Sequence, residues 1–158
     1  MKNYVKLLVC IAFVMVIGFP AAAQVRGNSA LNGTWVNSEG EIKYVMNNGN
    51  WTMSGAKGAV MIEAVKGTYN VNGNDITMTI TQVSGAIFEE AAGMMGVSPS
   101  QWYTDPQLKA AMTQAGMEFM YTLSGLAGIF TSYSGPYALR GNNLTLPMES
   151  GPMVFTKQ

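Results

Sequence analysis

GTYNVNGNDITMT, residues 67–79, returns in outline as GPYALRGNNLTLP, residues 135–147. In each copy a strand carrying a tyrosine (Tyr69, Tyr137) runs into a Gly-Asn pair (Gly73-Asn74, Gly141-Asn142). Each copy then leaves through an apolar-Thr-apolar run, Ile76-Thr77-Met78 and Leu144-Thr145-Leu146. A Gly-Asn pair between two alternating runs is the chemistry of a tight hairpin turn, so the copies predict two hairpins of one antiparallel sheet. The match covers only about thirteen residues, too short a unit for a solenoid repeat.

The surrounding chain carries the same signal. DITMTITQV, from Asp75, alternates Ile76, Met78 and Ile80 on one face with Thr77, Thr79 and Thr81 on the other, which predicts one buried face and one solvated face. EIKYVMNNGNWTMSG, from Glu41, puts Ile42, Tyr44 and Met46 on one face, turns at Asn47 to Asn50 and resumes with Trp51 and Met53, again a hairpin. AVMIEAVKGTYNV continues as a strand or a bent pair of strands, with Gly67 the place for a bend or bulge. Further strands are expected near 136–139, 143–148 and 152–156.

Between Ser84 and Ser134 the twofold period is lost. Ile87, Ala91 and Met94 are spaced as on a helix, and Leu108, Met112, Ala115 and Phe119 form a second helical stripe. Asp105 is placed to cap that second helix, with Pro106 at its first position. Ser98-Pro99 signals a short turn between the two. With about eight strands and no long parallel crossover, the expected fold is mainly β: an antiparallel up-and-down β-barrel carrying a helical insert near 85–131.

The first residues, MKNYVKLLVCIAFVMVIGFPAAAQ, place Lys2 and Lys6 before an apolar run from Leu7 to Phe19 that ends in Ala21, Ala22 and Ala23. This predicts a signal peptide over 1–23 and a domain over 24–158. The alternative, an uncleaved anchor, is disfavoured because the run is shorter than the roughly 20 residues a helix needs to span a bilayer. Bulky residues ahead of Cys10 argue against lipid attachment there. The expected location is therefore periplasmic or secreted, in a bacterial host.

Cleavage would remove the only cysteine, and the chain has no histidine. Its domain must then be held by its core alone. Without Lys2 and Lys6, seven Lys and Arg face nine Asp and Glu, a balance that favours neither nucleic acid nor an anionic membrane surface.

LNGTW, residues 31–35, opens the first strand of this meander and resembles the Gly-x-Trp motif of the lipocalin and fatty-acid-binding superfamily. KGTYNVNGNDITMTITQ, YALRGNNLTL and VFTKQ are similar to phrases of bacterial lipocalin-like domains. The resemblance implies a small exported barrel in which Gly33 and Trp35 close the base. Fatty-acid-binding proteins carry two helices after the first strand, whereas this insert follows about the sixth.

Chemistry is constrained by inventory. Without His or Cys in the domain, imidazole or thiolate metal sites and Ser-His or Cys-His nucleophiles are excluded. No catalytic residue, metal ligand or cofactor is assigned. Glu89 and Glu90 are expected to face solvent, Asp105 to cap, and Glu118, between Met117 and Phe119, to snorkel; an acid role for Glu118 is the enzyme reading to be set against these.

The excess is in methionine, 13 in all. Its flexible, polarizable side chain suits either an adaptable apolar cavity or the filling of an irregular core. For a cavity, alternation nominates Tyr44, Met46, Trp51, Met53, Ile76, Met78 and Leu144 as inward, though one bulge reverses a strand's parity. Phe119 joins them if the insert caps the barrel. The stretch from Ala111 to Phe130 carries Glu118 as its single charge and is expected to cap or flank the barrel rather than span a membrane. Two functions follow: non-catalytic binding of a small apolar ligand such as a lipid or fatty acid, or an envelope module with a solid core whose insert binds another protein.

Overall fold

The computed structural model describes residues 28–123, 126–130, 132–148 and 151–158; the expected signal peptide lies outside them. Ten antiparallel strands form one sheet: β1 (Gly33–Asn37), β2 (Ile42–Asn47), β3 (Asn50–Lys57), β4 (Val60–Asn72), β5 (Asp75–Ser84), β6 (Trp102–Tyr103), β7 (Ser132–Pro136), β8 (Ala138–Arg140), β9 (Asn143–Met148) and β10 (Gly151–Lys157). Their order is β6-β5-β4-β3-β2-β1-β10-β9-β8, with β7 pairing β5 beside β6. The sheet is mainly β and antiparallel as expected, with ten strands in place of about eight. The extra strands are the two-residue β6 inside the insert and the split of one expected strand into β7 and β8 around Tyr137. The ladder runs as an open path from β6 to β8, so closure into a barrel is not part of the observed pairing.

Both copies of the repeated phrase are two-residue hairpins. Asn72 faces Asp75 across Gly73-Asn74, and Arg140 faces Asn143 across Gly141-Asn142. Gly73 (φ 63°) and Gly141 (φ 58°) hold the left-handed backbone that such turns require and that glycine adopts at no steric cost. The β2–β3 hairpin turns at Asn48-Gly49, between paired Asn47 and Asn50.

Gly67 lies inside the single long strand β4, beside a register shift between Lys66 and Gly67 against β5. A Cβ there would come within 2.1 Å of the Thr79 carbonyl oxygen and 2.7 Å of the Trp51 indole, so only glycine permits this approach. A second shift lies between Met53 and Ser54 on β3. Each bulge moves the buried set by one position: Ile76 and Met78 are buried on β5, Ile80 is half-buried, and Val83 takes up the interior again.

The insert contains a 3-10 turn (Gly85–Phe88), α1 (Ala92–Met95), β6, α2 (Asp105–Gln114), α3 (Glu118–Leu123) and a 3-10 turn (Leu126–Gly128). Its cap is one residue earlier than expected. Thr104, extended at φ −75° and ψ 166°, occupies the N-cap position of α2, and its amide and hydroxyl both reach Gln107 Oε1 at 3.0 Å. Asp105 instead accepts a hydrogen bond from the Tyr121 hydroxyl, tying α2 to α3. Both helical stripes slip in phase. Ala92 and Met95 are buried where Ala91 and Met94 were expected, and beyond buried Leu108 and Met112 the stripe ends at Gly116 (φ 72°), leaving Ala115 and Phe119 exposed. Among the described residues no helix is long and apolar enough to cross a membrane.

Candidate functional site

One face of the sheet is a continuous apolar surface, built row by row across the strands. Trp35 pairs with Tyr44, Tyr44 with Met53, Met53 with Val65 and Val65 with Val83. A neighbouring row runs Met46, Trp51 and Gly67, and a third runs Tyr69, Met78 and Tyr133. Tyr44, Met46, Trp51, Met53, Ile76, Met78 and Leu144 are all buried on this face and belong to one core cluster. The Tyr44 ring packs edge-on against Phe155 at 5.1 Å between centroids and tilts against Trp51 at 5.7 Å. No charged side chain is buried among the described residues; the buried polar side chains are Asn37, Ser54 and Ser84.

Phe119 is not part of this group. It is 70% exposed on α3, with Met94 at 67% and Met120 at 42% also on the outside of the insert. The helix carrying Leu108 stops before it, and α3 starts with a new phase that buries Tyr121 instead.

Gly33 and Trp35 lie at one end of the sheet. The 3-10 turn Asn28–Leu31 precedes them, and the fully buried Trp35 donates from Nε1 to the Leu31 carbonyl at 2.7 Å. Lys157 sits across this pair, its Nζ 5.2 Å from the indole centroid and its Cε 2.5 Å from where a Gly33 Cβ would stand. At the same end Asn32 Oδ1 accepts from the Asn48 amide at 2.8 Å and from the Tyr69 hydroxyl at 3.0 Å. These bonds tie the N-terminal turn to the β2–β3 and β3–β4 pairs and consume the polar groups there.

The insert stands at the opposite end, since β5 runs from the Gly73-Asn74 turn toward Ser84 and the insert begins at Gly85. Its inward side chains, Ile87, Phe88, Leu108, Met112 and Tyr121 among them, join the same core cluster as the strands. Outside that core it is fastened by the Lys57–Glu89 ion pair and by Lys66, whose Nζ lies 3.9 Å from the Trp102 ring centroid. Glu90 and Glu118 are exposed. Of the methionines, Met46, Met53, Met78, Met95 and Met112 are buried, and Met61, Met117 and Met153 are half-buried.

Tyr133, Phe155 and Lys157 were not read from the sequence. SYSGPYAL does carry the signal for Tyr133: Ser132 and Ser134 pair with Thr79 and Thr77 through hydroxyls on the exposed face, at 2.8 and 2.9 Å, which turns Tyr133 and Gly135 inward. The Tyr133 hydroxyl finds no hydrogen-bond partner among the described residues. Burial first, and the charge of Asp75 second, push its pKa up to about 12.

No family model matches the chain, and no curated protein does. Among solved structures, the crystal structure of an uncharacterised protein from Bacteroides eggerthii is similar at 15% identity, with 80% of this chain and 98% of that one covered and a TM-score of 0.44.

Proposed function

We propose that the sheet wraps into a lipocalin-like barrel and that the protein, exported to the periplasm or beyond, is a non-catalytic carrier of a small apolar molecule. The support for wrapping is geometric. β7 pairs β5, β8 pairs β9, and only Tyr137 separates β7 from β8, so the chain itself bridges the two arms of the open path. A ten-stranded sheet with one apolar face cannot bury it under a few short helices, and curling the face inward is the solution that excludes water.

The observation that carries the binding reading is the uncharged inward face, on which Met46, Met53 and Met78 stand among Tyr44, Trp51, Ile76 and Leu144. Flexible thioethers let such a surface adapt to guests of different shape. The 3-10 turn and Trp35 shut one end, and the insert serves as the cover of the other. Native mass spectrometry of protein purified from its own host, followed by solvent extraction, tests this. A stoichiometric apolar adduct, lost in Met78→Glu and kept in Thr77→Glu on the outer face, is the expected result; an empty protein that also ignores fluorescent apolar probes sinks the carrier reading.

A second reading has its own observation. Met94, Phe119 and Met120 are exposed apolar side chains on the insert, which suit an envelope module that docks another protein there. In that case Phe119→Ser abolishes partner capture in the host envelope while Met78→Glu affects stability alone.

A further inference from the structure

We propose that the Tyr133 hydroxyl is the donor that anchors an apolar ligand by a neutral acceptor, the carbonyl of a ketone, ester or amide. The inference rests on the carrier reading and adds the chemical class of ligand to it.

Tyr133 sits opposite Met78 on the inward face, two residues before buried Gly135 on the same side of β7. Its ring leans along the strand until the hydroxyl comes 2.7 Å from where a Gly135 Cβ would stand. The missing side chain at 135 makes the space that the phenol oxygen fills. The hydroxyl is buried and without a partner among the described residues, whereas the buried Tyr69 and Tyr121 hydroxyls both have one. A buried hydroxyl with nothing to bond destabilises the fold, and phenylalanine in its place would pack the same ring without that cost. Among the described residues the oxygen thus serves no bond of the fold, and its use lies in something that arrives.

The setting selects what arrives. Met78, Ile76 and the rest of the face are apolar, so the body of the ligand is apolar and its polar group single. The phenol keeps its proton across the physiological range, so it presents a donor. Asp75, at the Pro136 end of the β5–β7 pair, adds to the burial that keeps the phenol protonated, and an uncharged face with no cation beside the hydroxyl among the described residues suits a neutral carbonyl as its acceptor. Access also exists in the ladder: β7 pairs β5 along one edge, and no strand pairs its other edge among the described residues. β8 engages β9 only from Asn143 to Thr145, which leaves an unladdered seam beside Tyr133.

The test uses delipidated protein from its own host, wild type and Tyr133→Phe, with displacement of the neutral probe N-phenyl-1-naphthylamine by 2-undecanone, undecane and undecanoate. The expected wild-type order is ketone tightest, by about tenfold over the alkane, as one net hydrogen bond allows. In Tyr133→Phe the ketone falls to the level of the alkane, the alkane is unchanged, and the melting temperature is not lowered. A carbonyl infrared band of bound 2-undecanone that shifts to lower frequency in wild type and not in Tyr133→Phe locates the bond. Equal ketone binding by both proteins overturns the anchor, as does a lowered melting temperature in the variant, which would give the hydroxyl a structural partner. Undecanoate binding tightest, and depending on Tyr133, overturns the neutral class. Failure of all three compounds to bind wild type removes the carrier reading and the anchor together, a result distinct from the others.

Discussion

At the residue scale, the close approach at Gly67 shows how one missing side chain sets the packing of three strands. Trp51 rests over Gly67 and donates from Nε1 to the neighbouring Thr68 carbonyl at 3.0 Å, while the Thr79 carbonyl closes from β5. A methyl group at 67 has rigid backbone on one side and a bulky ring on the other, and neither yields cheaply. Overpacking of this kind costs roughly 1–3 kcal/mol, and the backbone contact puts Gly67→Ala at the upper end, about 3 kcal/mol. Urea unfolding followed through tryptophan fluorescence measures it; a loss below about 0.5 kcal/mol would mean the bulge relaxes freely. Trp35 illustrates the opposite device, a large side chain accommodated by satisfying its one polar atom on Leu31.

At the scale of elements, the insert depends on local chemistry more than the strands do. α2 is ten residues long and buries only Leu108 and Met112, so its start must be well made. Thr104→Ala removes the hydroxyl of the cap and its bond to Gln107 Oε1 while the backbone amide keeps its own, and is expected to cost about 1 kcal/mol, the usual value for a lost N-cap. Hydrogen exchange should show the effect as faster exchange across α2 and α3 with β2 and β3 unchanged, because Asp105 and Tyr121 couple the two helices. Exchange accelerated uniformly over the sheet would instead make the insert part of one cooperative unit.

At the scale of the whole molecule, β10 joins the first strand to the last hairpin. It pairs with β1 through Trp35 to Asn37 on one edge and with β9 on the other, and it supplies Phe155 to the core and Lys157 to Trp35. Removing residues 151–158 would expose two strand edges and a fully buried aromatic contact at once. The truncated chain is expected to lose its dispersed amide spectrum and to aggregate, since unpaired apolar edges template association. A folded, monomeric truncation would show that β1 to β5 with the insert suffices as a core.

Much of the local structure was legible in the residues. The Gly-Asn hairpins, the alternating faces of β2, β3 and β5, and the irregularity beside Gly67 follow from turn chemistry and a period of two, both of which are properties of neighbours along the chain. The inward choice of Tyr44, Met46, Trp51, Met53, Ile76, Met78 and Leu144 came from the same alternation, and all seven are buried on one face. What neighbours cannot decide was settled by packing. The cap fell on Thr104 because two adjacent residues both suit that position and only the backbone angles choose between them. Phe119 turned outward because Gly116 resets the helical phase, and Ile80 lost full burial beside the register shift between β4 and β5. By itself the sequence determined a meander of hairpins with one apolar face; only the tertiary structure decided which strands meet β10, where the insert lies and that the Tyr133 hydroxyl is buried with no partner among the described residues, because those depend on contacts between residues far apart in the chain.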